Sequence, residues 1–405
     1  MAVTAAPMTS LKDTGRIIRS VADEVAFIGP GQIPFLTYVT GQKLELNGKS
    51  KVVPKFDTLP KSGGVRSTTF EWYEQALVPV SLTSSGNLTN SATTITITPA
   101  INALHLVVGT IIEIDDEQMR VTAAGDGTAG TATISRGWAG TTAAAHTSAA
   151  NDVKIITRAV VEGATVDYDP FLPPDQYYNE WQETYESFQK TSFDKAISRY
   201  GDAKNWKEEA ISAALRRAVL KLERAAVYAS RVTATATTPR QFGGMRYYTS
   251  ATTNLSAATL TKAHINTVMR TAYDAGGVDN CPDTILTNSY GKVTLSNVYG
   301  NGYVTVYRQE DETTAGYVVD EIMTDFGQVK IIMSPYVNQN SKELWFFRKD
   351  TIGIGPLKNN GEDLSFKAYD LPSSALSEGG YVHGVYTMCF RRPTSRALLS
   401  NFVTP

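Results

Sequence analysis

The stretch NWKEEAISAALRRAVLKLERAAVYASR, residues 205–231, decides how the rest of the chain is read. Ile211, Leu215, Ala218, Leu222, Ala225 and Ala229 recur at spacings of three and four, which predicts one apolar face of a helix. Asn205 is placed to cap its start, and Glu208 stands three residues on, where a capping box would close. Glu208 and Glu209 in the first turn and Arg231 near the last suit the helix dipole. At 1.5 Å per residue the rod would be roughly 40 Å long, beyond the usual helix of a compact domain. Ala213, Leu220 and Val227 draw a second, thinner apolar line, ringed by Glu209, Arg216, Arg217, Glu223 and Arg224. Two such seams imply a helix covered on both sides, the second by another molecule. A surface helix with stray apolar residues is the alternative that the pattern equally allows.

Working outward, 405 residues suffice for two or three cores. Charged residues make up 19%, the net charge is −2 and the isoelectric point is near 6.2. That is far from the basic footprint of a dedicated nucleic-acid binder. Residues 204–231 alone hold seven basic and three acidic side chains, which reads as a solvated or partner-facing surface. Cys281 and Cys389 are too few for a stapled secreted fold. The first residues show no signal pattern and no apolar run reaches about 18 residues, so synthesis in cytoplasm without membrane insertion is expected.

Residues 1–50 lack the apolar density of a core. Gly29, Pro30, Gly31 and Pro34 predict an extended, stiffened link, and Phe27, Ile28, Phe35, Leu36 and Tyr38 would need cover from elsewhere. Residues 51–56 and 68–73 read as strands of a long hairpin with Gly63-Gly64 near its tip. Residues 78–158 are rich in Thr, Ala and Gly, with alternation at 94–98, 110–114, 118–123, 132–135 and 153–156, which predicts a small all-β module inserted into the chain. Beyond the long helix, residues 261–275 predict a second one stopped by Gly276-Gly277. Strands are expected at 302–309, 327–333, 343–347 and 381–391, giving an α+β chain without internal repeats.

Catalytic chemistry finds little support. His105, His146, His264 and His383 lie in four separate segments, and no nucleophile elbow or phosphate-binding loop occurs. Asp115, Asp116 and Glu117 have the chemistry to hold a hard cation, but an acidic hairpin turn explains them better. No catalytic, cofactor or metal residue is assigned. What stands out is surface that one subunit cannot cover: an arm, a long flap and a double-seamed helix.

These pieces resemble the major capsid proteins of tailed phages with the Hong Kong 97-type fold, in the branch whose capsid protein carries a β-rich insertion. Gly29-Pro30 with Ile33-Pro34-Phe35-Leu36 resembles the family's N-terminal arm, and Glu71-Trp72-Tyr73 with Leu77 the charged-aromatic strand of its extended loop. Residues 181–198 and the helix to Tyr228 resemble the approach to the peripheral domain and its spine helix. Residues 261–277 resemble the first axial-domain helix, and Thr324-Asp325-Phe326-Gly327 a turn of that branch. GTIIEIDDEQMRV with ISRGWAGTTAAAH resembles a β module of phage structural proteins, in which the Arg136-Gly137 and Gly140-Thr141 steps would shape a tight loop.

The resemblance implies an arm at 1–50, an extended loop at 51–77 and 159–180, and an inserted module at 78–158. It implies a peripheral domain at 181–244 and 370–405 with its spine helix at 205–231, and an axial domain at 245–369. Its function would be self-assembly through hexamers and pentamers into an icosahedral shell around double-stranded DNA. Interface residues would include Phe27, Ile28, Phe35, Leu36, Glu71, Trp72, Tyr73, Arg216, Leu220 and Val227. Expected partners are further copies, a portal, a separate scaffolding or decoration protein, and DNA held weakly by a near-neutral wall. The inserted module would be surface decoration or a clasp between capsomers. Lys55 and Lys61 lie where the family's rare covalent cross-link begins, but no partner residue can be assigned and none is expected to form. Two alternatives stay open: an encapsulin-like compartment, whose relatives normally lack so large an insertion, and a tail or fibre component.

Overall fold

A computed structural model describes residues 32–42, 56–60, 67–75, 79, 81–147, 150–164, 174–197, 206–299, 304–305, 320–338, 340, 342–359 and 362–404. Phe27, Ile28, Lys55, Lys61, the Gly63-Gly64 tip and the Asn205 cap lie outside these residues. The chain divides into two compact units, Tyr73–Tyr177 and the remainder.

Residues 29–31 of the expected extended link lie outside the described residues, and its last residue, Pro34, opens a helix that the sequence reading does not expect. Helix α1 spans Pro34–Thr40. Pro34 occupies its first turn, where a missing N–H costs nothing, and Gly41 closes it in the left-handed region at φ 71°. Strand β1 (Thr69–Glu74) alternates, with Phe70 and Trp72 buried and Glu71 and Tyr73 exposed.

Within the second unit, β2 (Ser81–Ser85), β3 (Thr94–Thr98), β4 (Thr110–Ile114), β5 (Glu117–Ala123), β6 (Thr131–Ser135) and β7 (Ala150–Arg158) form a closed barrel in the order β2-β3-β6-β5-β4-β7. Alternate side chains point inward, so Leu82, Ile95, Ile97, Ile112, Ile114, Met119, Val121, Ile134 and Val153 fill a dry centre. Closure leaves no open strand edge in a stretch otherwise poor in charge. Strand β8 (Asp175–Glu180) then pairs with β1.

In the larger unit, β9 (Gln182–Thr191) leads through the short α2 (Ser192–Ala196) to α3 (Trp206–Tyr228), 23 residues or roughly 34 Å long. Next come α4 (Met245–Tyr248), β10 (Ala251–Asn254), α5 (Lys262–Gly276), β11 (Thr284–Thr287) and α6 (Ser289–Tyr299). They are followed by β12 (Val304–Thr305), β13 (Asp320–Thr324), β14 (Gly327–Met333), β15 (Leu344–Phe347) and β16 (Ile352–Pro356). A small hairpin, β17 (Lys358–Asn359) and β18 (Glu362–Asp363), precedes β19 (Lys367–Ala375), β20 (Ser377–Phe390) and β21 (Ala397–Ser400). His264 closes a capping box with Thr261 at the start of α5, which is the structural role its position suggests.

Two sheets organise this unit. A mixed seven-stranded sheet runs β10-β21-β15-β11-β14-β13-β12. Its central strand β15 is buried throughout: Leu344 and Phe346 join the core under α5 and α6, while Trp345 and Phe347 join the core around α1 and α3. The second sheet is built on β20, paired with β9 along one side and with β19 and β16 along the other. Phe188, Val382, Tyr386, Met388 and Phe390 share one hydrophobic core with α3.

Sheet membership cuts across two of the expected domain spans. Residues 370–405 divide, since β20 joins the sheet under α3 whereas β21 belongs to the seven-stranded sheet. Conversely β16, inside the expected axial span 245–369, pairs with β20.

Gly244 shows how tightly the end of α3 is packed. A Cβ there would stand 2.4 Å from the Ala225 carbonyl oxygen and 2.8 Å from that of Ala226. Gly244→Ala is therefore expected to cost about 1–3 kcal/mol by overpacking, read as a lower denaturant midpoint at unchanged slope.

Candidate assembly surfaces

The expected interface residues fall into two groups. Phe35 and Leu36 are wholly buried in this chain's own core, where Phe35 meets Phe347 edge-on at 5.6 Å. Trp72 packs on Tyr248 at 5.8 Å, and Val227 is 2% exposed. These four, expected at an interface, instead have their side chains buried within the subunit: Phe35 and Leu36 on α1, Trp72 on the inner face of β1, and Val227 in the buried stripe of α3. Glu71 and Tyr73 lie on the outer face of β1, Arg216 is partly exposed, and Leu220 rests half-buried on the core.

The helix face is also turned from its expected direction. The buried stripe of α3 is Ala214, Leu215, Ala218, Val219, Leu222, Glu223, Ala226 and Val227. A glutamate thus stands inside the stripe. Its Oε1 and Oε2 accept hydrogen bonds from the Phe35 and Leu36 amides, each at 2.9 Å. Those donors open α1, whose N-cap Ile33 offers no side-chain acceptor. Burial without a cation pushes the Glu223 carboxyl up to about 7, and the two amides offset that only in part.

Sequence reading also missed an uncovered sheet face. One side of the β9–β20–β19 sheet meets α3, where Glu186 is held by Arg217 and Lys221. The other carries Tyr185, Tyr369, Tyr381 and His383, with Tyr185 68% exposed. Tyr369 and Tyr381 stack at 5.4 Å, and His383 Nε2 lies 2.7 Å from Glu183 Oε1. This face runs into an open groove of about 1250 Å³ between Trp181, Glu183, His383 and residues 234–240. At the sheet's far end Phe193 and Leu376 stand 78% and 85% exposed, joined where the Ser192 amide donates to the Leu376 carbonyl. The signal was period-two alternation of aromatics in β9 and β20, which the sequence alone does not assign to a wet or a covered side.

The barrel holds the densest polar cluster. Glu117 opens β5 with its carboxylate buried, and Arg136 forks onto it with Nε–Oε1 and Nη2–Oε2 both 2.7 Å. The Gly137 and Ala144 amides donate to the same carboxylate at 3.1 and 2.9 Å. His146 stands between Asp115 (2.7 Å) and Glu117 (3.2 Å). Thr141 ties the loop to Gln118, and Gly137, Ala139 and Gly140 all take positive φ. The tight loop expected at these steps is thus pinned by one carboxylate, and Glu117 is an anchor rather than part of a cation site. Desolvation works to raise this carboxyl, but Arg136, the two amides and His146 outweigh it and hold it at about 2, below the ordinary 4.5. Its contribution to barrel stability is accordingly full above about pH 4.5 and lost as pH falls through about 2. An acid titration of folding should show that window, and Glu117→Gln should lack it.

Among the described residues no group of three or more His, Cys, Asp or Glu side chains could hold a metal ion. No helix among them is long and apolar enough to cross a membrane. The family model described as SU10 major capsid protein matches residues 4–402. The chain belongs to that family. It is a major capsid protein, a structural component of a phage virion, and the family is not a class of enzymes. None of the curated proteins matches this capsid protein in sequence. Among solved structures it is similar to the cyanophage A-1(L) capsid asymmetric unit, at 11% identity over 98% of this chain and 99% of that one, with a TM-score of 0.48. A structure from Mycobacterium phage Bobi is similar at 9% identity, covering 98% and 99%, with a TM-score of 0.47. The holo-SrpI encapsulin complex from Synechococcus elongatus PCC 7942 is similar at 12% identity over 60% of this chain and 81% of that one, with a TM-score of 0.40.

Proposed function

We propose that this capsid protein assembles through hexamers and pentamers into an icosahedral shell enclosing double-stranded DNA. The observation that carries the reading is exposed apolar surface on a member of a capsid family: Tyr185 and Tyr369 on the open sheet face, Phe193 and Leu376 at its end. A neighbour covering them would remove several side chains from water, each contributing up to about 1.5–3 kcal/mol when fully buried. Modest contacts suffice, because each copy in a closed shell makes several of them.

The layout that supports this reading departs from the sequence expectation at its edges. Helix α1, inside the span 1–50 expected for the arm, belongs to the body. The peripheral domain takes α3 with β9, β16, β19 and β20, and the axial domain takes the seven-stranded sheet with α5 and α6. The barrel is the inserted module, and β1 and β8 the base of the extended loop. Glu71, Tyr73, Arg216 and Leu220 are interface residues in this reading. Portal, scaffolding or decoration proteins are further partners, and with a net charge of −2 the wall grips packaged DNA weakly. Synthesis takes place in the host cytoplasm.

Electron microscopy of the expressed chain tests the proposal. Uniform closed particles or capsomers are expected, with nuclease-protected DNA in those recovered from infected cells. A monodisperse monomer at high concentration would overturn it. Peptide-tagged enzyme cargo would favour a cellular compartment, and trimers or rods a tail component.

A further inference from the structure

We propose that Glu223 is a proton-controlled latch for helix α1, holding it tightly when the carboxyl is protonated and loosely when it is ionised. The geometry stands first. The Phe35 and Leu36 amides are the opening donors of α1, both are buried, and among the described residues both are answered from α3, by the two oxygens of one side chain at 2.9 Å. Pro34 contributes no donor, and Ile33 no cap. Helix α1 therefore meets α3 through one carboxyl surrounded by Phe35, Leu36 and other core side chains.

The charged and titratable groups on the elements around it are occupied elsewhere. On α1, Tyr38 pairs with Thr284 at 2.8 Å, and Lys349 lies 4.8 Å over its ring. On α3, Arg224 lies over the Tyr336 ring at 4.9 Å, and Tyr228 donates to Glu343. Tyr336, in the segment after β14, is the phenol that senses the Glu223 charge, with Arg224 acting on it in the opposite direction. No cation among the described residues pairs with Glu223.

The sign follows from linkage. Undocking α1 would return the carboxyl to water, where it titrates near 4.5, whereas docked it titrates at about 7. The docked state binds its proton more tightly, so docking is strongest below about pH 4.5 and weakens as pH rises through 7. The two amides soften the burial of the anion without cancelling it. The start of α1 is thus held to α3 with a firmness that depends on pH. The latch does not rest on the assembly reading, since it lies within one subunit.

Hydrogen exchange on the full-length, unassembled chain tests it. After correction for intrinsic exchange, protection of the Phe35 and Leu36 amides should fall by up to about 150-fold between pH 4.5 and 8. Protection of the Phe346 amide in β15 should not follow it, and in Glu223→Gln the Phe35 and Leu36 values should be flat over that range. Flat protection in the wild type, an unchanged slope in Glu223→Gln, or a parallel change at Phe346 would each overturn the proposal. Should Glu223→Gln fail to fold, the wild-type comparison of Phe35 and Leu36 against Phe346 still decides.

Discussion

Glu117→Ala is expected to lower the stability of the barrel by about 3–5 kcal/mol, the usual cost of breaking a buried ion pair from one side. The side chains of Glu117 and Arg136 are 2% and 8% exposed, so the guanidinium left behind has little water to turn to. The loss also strips acceptors from the Gly137 and Ala144 amides and from His146. Since a domain is typically stable by only about 5–15 kcal/mol, the loop from Gly137 to His146 should become mobile even where the barrel survives. Trp138 is one of five tryptophans, so its fluorotryptophan signal, assigned by its loss in Trp138→Phe, reports on this loop. Arg136→Lys should fall between wild type and Glu117→Ala, because an ammonium cannot reproduce the two parallel bonds. A change below about 1 kcal/mol in Glu117→Ala would mean that the cluster is decorative.

The second large effect contrasts two leucines five residues apart on α3. Leu215 is 4% exposed inside the core that joins both sheets. Leu215→Asp would bury an unpaired charge and also remove a packed side chain, a loss above about 5 kcal/mol, enough to prevent folding. Leu220 only leans on that core, so Leu220→Asp is expected to stay soluble, with about 1 kcal/mol lost and assembly impaired. Circular dichroism and sedimentation of the two variants give the comparison. Equal insolubility would remove Leu220 from the interface, and full particle formation by Leu220→Asp would do the same.

Some of this was legible in the amino-acid order and some was not. Helices α3 and α5 and strands β3 to β7 announce themselves through periodicity, which requires only that one side of each element be dry. Helix α1 does not, since its seven residues make about two turns, too few for a period to show, and Pro30 and Pro34 argue for extension. Glu223 is invisible for a related reason: a charged residue reads as solvent-facing unless its partners are known, and those lie 187 and 188 residues away. The apolar surface of Phe35, Leu36 and Tyr38 calls for cover in the sequence itself. The cover for Phe35, Leu36 and Trp72 comes from the same subunit, because apolar pattern gives the amount of surface to hide and not the identity of what hides it. The aromatic row on β9, β19 and β20 was missed through the opposite ambiguity. The Glu117 cluster joins residues up to 31 positions apart, and long-range pairing of that kind is set by strand register rather than by spacing.

Strands β1 and β8 are hydrogen-bonded neighbours although one hundred residues, 75–174, separate them along the chain. The entropic cost of closing a link between two strands grows only logarithmically with its length, by about 0.6 kcal/mol for each doubling. A two-stranded ribbon therefore tolerates an excursion of this size at little more than the cost of one a quarter as long, which leaves the length of the intervening chain free to drift.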